Sequence, residues 1–253
     1  MDANRGGIVL QYSKKTDIGR VREHNEDAVA IINIAPGMDV AMVADGMGGH
    51  RGGSIASQMT IDIISEVIKD NASPLVLRRA IEEANRQVYE HGQNEEACLG
   101  MGTTLVMAVI QKETVLVANV GDSRAYHLDS QTRQCRRMTT DHSLVEQLIQ
   151  SGELTREEER TFPFRNVITR AVGIEPDVMI DFFELEWRQG DLLLLCSDGL
   201  TEYLSDATLC KKLLQDKPIQ TICDELVNMA KHAGGRDNIT VLLVKNAEGG
   251  GSE

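Results

Sequence analysis

One stretch constrains this chain more than any other: Val40-Ala-Met-Val-Ala-Asp45-Gly-Met-Gly-Gly49. The small and apolar run predicts a buried strand, and it ends in a carboxylate followed by three glycines in four positions. A strand of this kind delivers its aspartate to a sheet end. The glycines leave the backbone bare, so a carbonyl or amide approaches a ligand as closely as a side chain would. Read alone, Asp-Gly after a strand is equally a tight turn without function. Two further stretches shift that balance: Asp191-Leu-Leu-Leu-Leu-Cys196 runs into Ser197-Asp198-Gly199, and a last strand is entered through Gly235-Arg-Asp237-Asn-Ile-Thr240. Three carboxylates at strand ends suggest one metal centre.

Charge narrows the partners. Against 26 Lys and Arg stand 39 Asp and Glu, a net charge of −13 over 253 residues. That surface repels nucleic acid and anionic lipid, so neither is expected as a partner, and any anion site needs a local arginine or metal. No apolar run approaches the roughly 20 residues of a membrane helix. Met1 to Gly7 lacks the charged start and apolar core of a signal peptide, so a cytoplasmic location is expected. The five cysteines, Cys98, Cys135, Cys196, Cys210 and Cys223, show no C-x-x-C spacing and read as reduced thiols, neither a zinc site nor a disulfide frame.

Periodicity orders the rest. Strands are predicted over 8–14, 28–35 and 38–44, the last two joined at Pro36-Gly37. Helical spacing follows over 54–69 and 74–91, then a meander of strands over 103–110, 114–120, 124–128 and 134–138. A helix over 144–151 opens a polar stretch in which Glu157-Glu-Glu159 reads as a solvated helix face; Trp187 reads as packing or an ordinary surface residue. Strands over 178–185 and 191–196, helices over 205–214 and 218–232 and a strand over 239–245 complete the chain. Paired helices after blocks of antiparallel strands predict an α+β fold, a four-layer α/β/β/α sandwich of two antiparallel sheets flanked by helix pairs. One catalytic domain is expected over 1–247, with 248–253 a disordered tail.

Asp45, Asp122, Asp198 and Asp237 each lie beside glycine or at a strand boundary. Such oxygen donors suit magnesium or manganese, and histidine is too sparse for zinc. Two cations sharing a carboxylate would acidify a bridging water and clamp a phosphoryl oxygen, and Arg22 would hold the remaining oxygens with its planar fork. The residues therefore describe a metal-assisted hydrolase of an anionic ester. Other phosphatase chemistries lack their residues: Glu202 stands where a cysteine phosphatase starting at Cys196 needs arginine, and Asp45 has no D-x-D partner. Neither a G-N-H-E stretch nor a G-x-x-x-x-G-K loop occurs.

Seven motifs in order resemble those of bacterial metal-dependent type 2C protein serine/threonine phosphatases. They are Arg22-x-x-Asn25-Glu26-Asp27, Val43-Ala-Asp45-Gly-Met-Gly-Gly49, Gly102-Thr-Thr104, Asn119-Val-Gly-Asp122-Ser-Arg124, Asp141-His-Ser143, Ser197-Asp198-Gly199 and Asp237-Asn-Ile-Thr240. The resemblance spans Ser13 to Val244 and implies hydrolysis of phosphoserine and phosphothreonine by a hydroxide bridging two manganese or magnesium ions. It implies that Asp45 bridges both metals, that Gly46 ligates the second through its carbonyl, and that Asp198 and Asp237 complete the first. Asp122 with Asp198 would hold a third, weaker ion. Glu26 and Asp27 would act through water and hydrogen bonds around the ligands, and Arg22 would bind the substrate phosphate. The stretch 141–172 matches a variable flap that shapes substrate access. Animal relatives place a histidine general acid where this chain has Met47, which makes His50 the nearest substitute. Expected partners are phosphorylated proteins, namely serine/threonine kinases and their substrates, met by a monomer. The rival reading is a catalytically weak phosphatase-fold module that binds a phosphorylated partner.

Overall fold

The computed structural model describes residues 9–48, 51–159 and 162–247. Strands β1 (Val9–Asp17), β2 (Asp27–Ala35) and β3 (Met38–Met47) come first, then helices α1 (Gly52–Ile68) and α2 (Pro74–Asn94). Next are β4 (Gly102–Thr103), β5 (Leu105–Ile110), β6 (Thr114–Val120), β7 (Arg124–Leu128) and β8 (Cys135–Arg137). Helix α3 (Leu144–Ser151), β9 (Asp181–Glu186), β10 (Leu192–Cys196), α4 (Asp198–Thr201), α5 (Asp206–Leu213), α6 (Ile219–Ala233) and β11 (Ile239–Ala247) follow. One sheet runs β1-β11-β10-β7-β8, the other β2-β3-β5-β6-β9 with β4 paired to β3, and every pairing is antiparallel.

The continuous apolar runs follow from burial on both faces. Along β3, Val40, Met42 and Ala44 pack under α1 and α2, whereas Ala41 and Val43 face the opposite sheet. Along β11, Val241 and Leu243 pack under α6, while Leu242 and Val244 meet the first set between the sheets. The result is helices, sheet, sheet, helices, the four layers expected. Trp187 is buried in the intersheet core, which selects packing over a surface role.

Three expectations change. First, β1 extends to Asp17 because it pairs with β11 from Val9↔Ala247 to Asp17↔Ile239, a register invisible in local pattern. Second, Glu157 to Glu159 forms turns instead of a helix face, and Glu159 turns toward Arg156 and Arg124. Third, Cys135 and Cys210 form a disulfide across a separation of 75 residues, with Cα atoms 5.4 Å apart. Tertiary packing of β8 against α5 creates that pair, so no sequence spacing announces it. Cys98, Cys196 and Cys223 are buried free thiols, as read.

Candidate active site

The site lies where the ends of both sheets meet. Strand β3 brings Asp45 level with Asp27 on β2, and β4 braces it from the other side. The Asp45 amide donates to Thr104 Oγ1 at 3.0 Å, and its carbonyl accepts from the Thr104 amide at 2.8 Å and from Thr103 Oγ1 at 2.9 Å. Thr104 Oγ1 also meets Ser123 Oγ at 2.7 Å, which ties the Asp45 turn to the one that carries Asp122. Gly46 is irreplaceable sterically: a Cβ there would stand 2.1 Å from the Gly53 carbonyl oxygen and 2.6 Å from that of Glu26. Glu26 acts here through its backbone, accepting from the Gly46 amide and Ser57 Oγ.

The other sheet contributes through two hydroxyls that the sequence reading overlooked. Ser197 Oγ and Thr240 Oγ1 both donate to Asp27 Oδ2, at 2.8 and 2.6 Å, while Asp27 Oδ1 is buried without a partner. Both hydroxyls were findable, since each belongs to a motif that also carries a site aspartate. Asn238 joins the loops: its amide nitrogen donates to the carbonyls of Ile18 and His24, and its oxygen accepts from the Glu26 amide at 2.8 Å. Asp122 is buried, with Oδ1 likewise unpartnered.

Electrostatics couple these groups. Burial pushes Asp27 up to about 7 despite its two hydroxyl donors, with Asp198 and Asp237 adding repulsion. Asp198 rises to about 6 for the same reason, with Asp237 next to it and Asp45 within hydrogen-bonding reach. Asp45 and Asp122 are held well above the ordinary range by burial and then by their neighbours, Asp198 raising both. Desolvated, mutually repelling carboxyls call for a cation.

Arg22 meets Asp237, Nη2 to Oδ2 at 2.7 Å, and that hydrogen bond raises the guanidinium above its ordinary value. Asp27, Asp45, Asp122, Asp198 and Asp237 thus interact as one set, with Glu26 and Arg22 beside them. Among the described residues no three His, Cys, Asp or Glu side chains converge as a ready-made ligand set. Their chemistry still fits a hard divalent cation: all donors are oxygens, and two buried carboxylate oxygens lack partners. His50 lies outside the described residues.

Beside this carboxylate set, between α4, α5 and the segment carrying α3, opens a cavity of about 570 Å³ that reaches Asp122 and Asp198. Its wall is a web of ion pairs that sequence could not reveal. Arg124 Nε donates to both oxygens of Asp141, at 2.9 and 3.0 Å, and Tyr126 Oη donates to Asp206 at 2.9 Å.

Residues 19–243 match the family Protein phosphatase 2C. The "Serine/threonine phosphatase stp" of Listeria welshimeri is 40% identical over 238 residues, 91% of this chain and 94% of that one. The crystal structure of serine/threonine phosphatase Stp1 from Staphylococcus aureus superposes with a TM-score of 0.89 at 35% identity, covering 97% of this chain and 98% of that one. The catalytic domain of the serine threonine protein phosphatase PstP, solved in complex with 2 manganese ions, gives a TM-score of 0.83 at 31% identity over 95% of this chain and 99% of that one. A family match over nearly the whole sandwich, on motifs that meet at one sheet end, means that this chain belongs to the protein phosphatase 2C family.

Proposed function

We propose that this chain is a metal-dependent protein serine/threonine phosphatase that removes phosphate from phosphoserine and phosphothreonine and so opposes serine/threonine kinases. The observation that carries the reading is the carboxylate set itself: burial, and then the charge of neighbouring aspartates, holds Asp27, Asp45, Asp122 and Asp198 above the ordinary carboxylate range, and two of their buried oxygens are unpartnered. Asp45, Asp198, Asp237 and the Gly46 carbonyl would hold two ions, magnesium or manganese, and Asp122 with Asp198 a third. Ions bound there would supply the charge that acidifies a water and neutralises phosphoryl oxygens.

The protein's own groups then position the ester. Arg22 is half-exposed in its pair with Asp237, the side chains keeping 48% and 27% of their surface. An exposed pair of this kind contributes about 0.2–1 kcal/mol, whereas a bidentate contact with a phosphate dianion is stronger, so Arg22 exchanges partners when substrate arrives. Asp27, fixed by Ser197 and Thr240, keeps one buried oxygen without a partner, and that oxygen can accept a proton from water. His50 would protonate the leaving serine or threonine oxygen. The enzyme is taken to be a cytoplasmic monomer with one catalytic domain over 1–247, in which 141–172 forms a flap over the cavity.

Turnover of p-nitrophenyl phosphate and of a phosphothreonine peptide with added manganese tests the function. Asp45→Asn and Asp198→Asn should each reduce kcat by at least about a hundredfold. Undiminished turnover in both variants would refute the assignment.

A further inference from the structure

The inference below rests on the phosphatase reading and concerns which phosphopeptides the site prefers. Five arginines line the 570 Å³ cavity next to Asp122 and Asp198: Arg124, Arg137, Arg156, Arg165 and Arg236. Four of them are engaged. Arg124 is clasped by Asp141, Arg137 approaches Glu146 at 3.6 Å, Arg156 pairs with Glu146 at 2.7 Å, and Arg165 pairs with Glu202 at 3.0 Å. Arg236 is exposed, and among the described residues no carboxylate pairs with it. We propose that Arg236 is a specificity-determining residue that receives an anionic group carried by the substrate peptide a few residues from its phosphorylated serine or threonine.

Three observations support a receptor over a merely solvated arginine. Its backbone is pinned on both sides, because the Arg20 amide donates to the Gly235 carbonyl at 2.6 Å and Asn238 is bonded to Ile18, His24 and Glu26. A cation on an immobilised turn loses less entropy on binding than one on a mobile loop. It also sits one residue before Asp237, whose other neighbour is Arg22, so the edge reading the phosphate and the edge reading the flank belong to one rigid loop pair. Finally, a molecule of net charge −13 repels acidic peptides, and among the described residues this guanidinium is the cavity-lining arginine that no carboxylate pairs with. An extended peptide advances about 3.3–3.6 Å per residue, so a carboxylate or second phosphoryl group within three residues of the scissile one falls in range.

The test is a set of phosphothreonine peptides in which one glutamate is moved from three residues before to three residues after the phosphothreonine, with an all-alanine flank as reference. At one register glutamate should lower KM by about two- to fivefold with kcat little changed, the size expected of a partly exposed charge pair. In Arg236→Gln that ratio should fall to about one, and in Arg236→Glu a lysine at the same register should become the preferred residue. Phosphoserine at that register separates the two sources of anion: an effect from either supports the subsite, and the larger one names the natural group. A wild-type scan that is flat for both glutamate and phosphoserine, or the same ratio in Arg236→Gln, overturns the proposal. The wild type's turnover of p-nitrophenyl phosphate, which has no flank, isolates the underlying reading: failure there removes both, whereas turnover with a flat scan removes only the role of Arg236.

Discussion

Breaking the bond between Cys135 and Cys210 is the most demanding perturbation the structure offers. It ties β8, the three-residue strand at one edge of its sheet, to α5, and it closes a loop across 75 residues that contains α3, β9, β10 and Asp198. In the chain-entropy account, freeing a loop of that length restores to the unfolded state an entropy worth about 4.5 kcal/mol at room temperature. For a domain of this size each kcal/mol moves Tm by about 2–4 °C, so reduction should lower Tm by roughly 9–18 °C. The assay is thermal unfolding with and without a dithiol reductant, repeated on Cys135→Ser/Cys210→Ser, whose Tm should match the reduced wild type and ignore reductant. The remaining thiols do not confuse the result, since Cys98, Cys196 and Cys223 are buried, and burial pushes the Cys196 thiol up to about 12. Alkylation after unfolding without reductant should label three cysteines, the three free ones. Five labelled cysteines, or a Tm that reductant and the double substitution leave unmoved, would refute the tether.

Two further predictions concern the carboxylates and the glycine beside them. In metal-free protein, Asp27 and Asp198 have folded pKa values of about 7 and about 6 against 3.8 for the free side chain. Each therefore contributes stability that is complete below pH 3.8 and is lost as pH rises through the folded values. The depressed carboxyls, Asp17 and Asp191 among them, titrate below that window, whereas His142, lowered from 6.5 by burial, titrates within it and works against the two aspartates. Metal-free protein should accordingly melt higher at about pH 5 than at about pH 8, and saturating manganese should raise Tm mainly at the higher pH; a metal-free Tm that climbs across this range contradicts the reading. Gly46→Ala drives a Cβ to 2.1 Å from a backbone carbonyl, so it should cost about 3 kcal/mol or more and abolish the manganese-dependent rise in Tm, both read by thermal unfolding.

Much of this molecule was legible because its signals are local. The runs in β3, β10 and β11 are unbroken since both faces are covered, and that property shows in the sequence itself. Helix α3 carries its own boundaries: Ser143 accepts from the Glu146 amide at one end, and Gly152 takes a left-handed conformation at the other, so its limits match the expected 144–151. The aspartates of the candidate site were visible by the same logic, each beside glycine or at a strand boundary. What stayed hidden depends on partners far away in the chain. The pairing of β1 with β11, the bond from Cys135 to Cys210 and the clasp of Arg124 by Asp141 exist only once the sheets have closed.

The same division explains why Arg22 reads differently in sequence and in structure. Sequence assigns it to phosphate; the structure sets it on Asp237, 215 residues away. The two assignments are compatible only if the pair is weak enough to exchange, and its exposure makes it so. A buried pair would have locked the guanidinium, as Asp141 locks Arg124 with side-chain exposures of 8% and 13%. Burial therefore separates the arginine that builds the wall from the arginine free to leave its partner for a substrate, although both stand within motifs that look alike on paper.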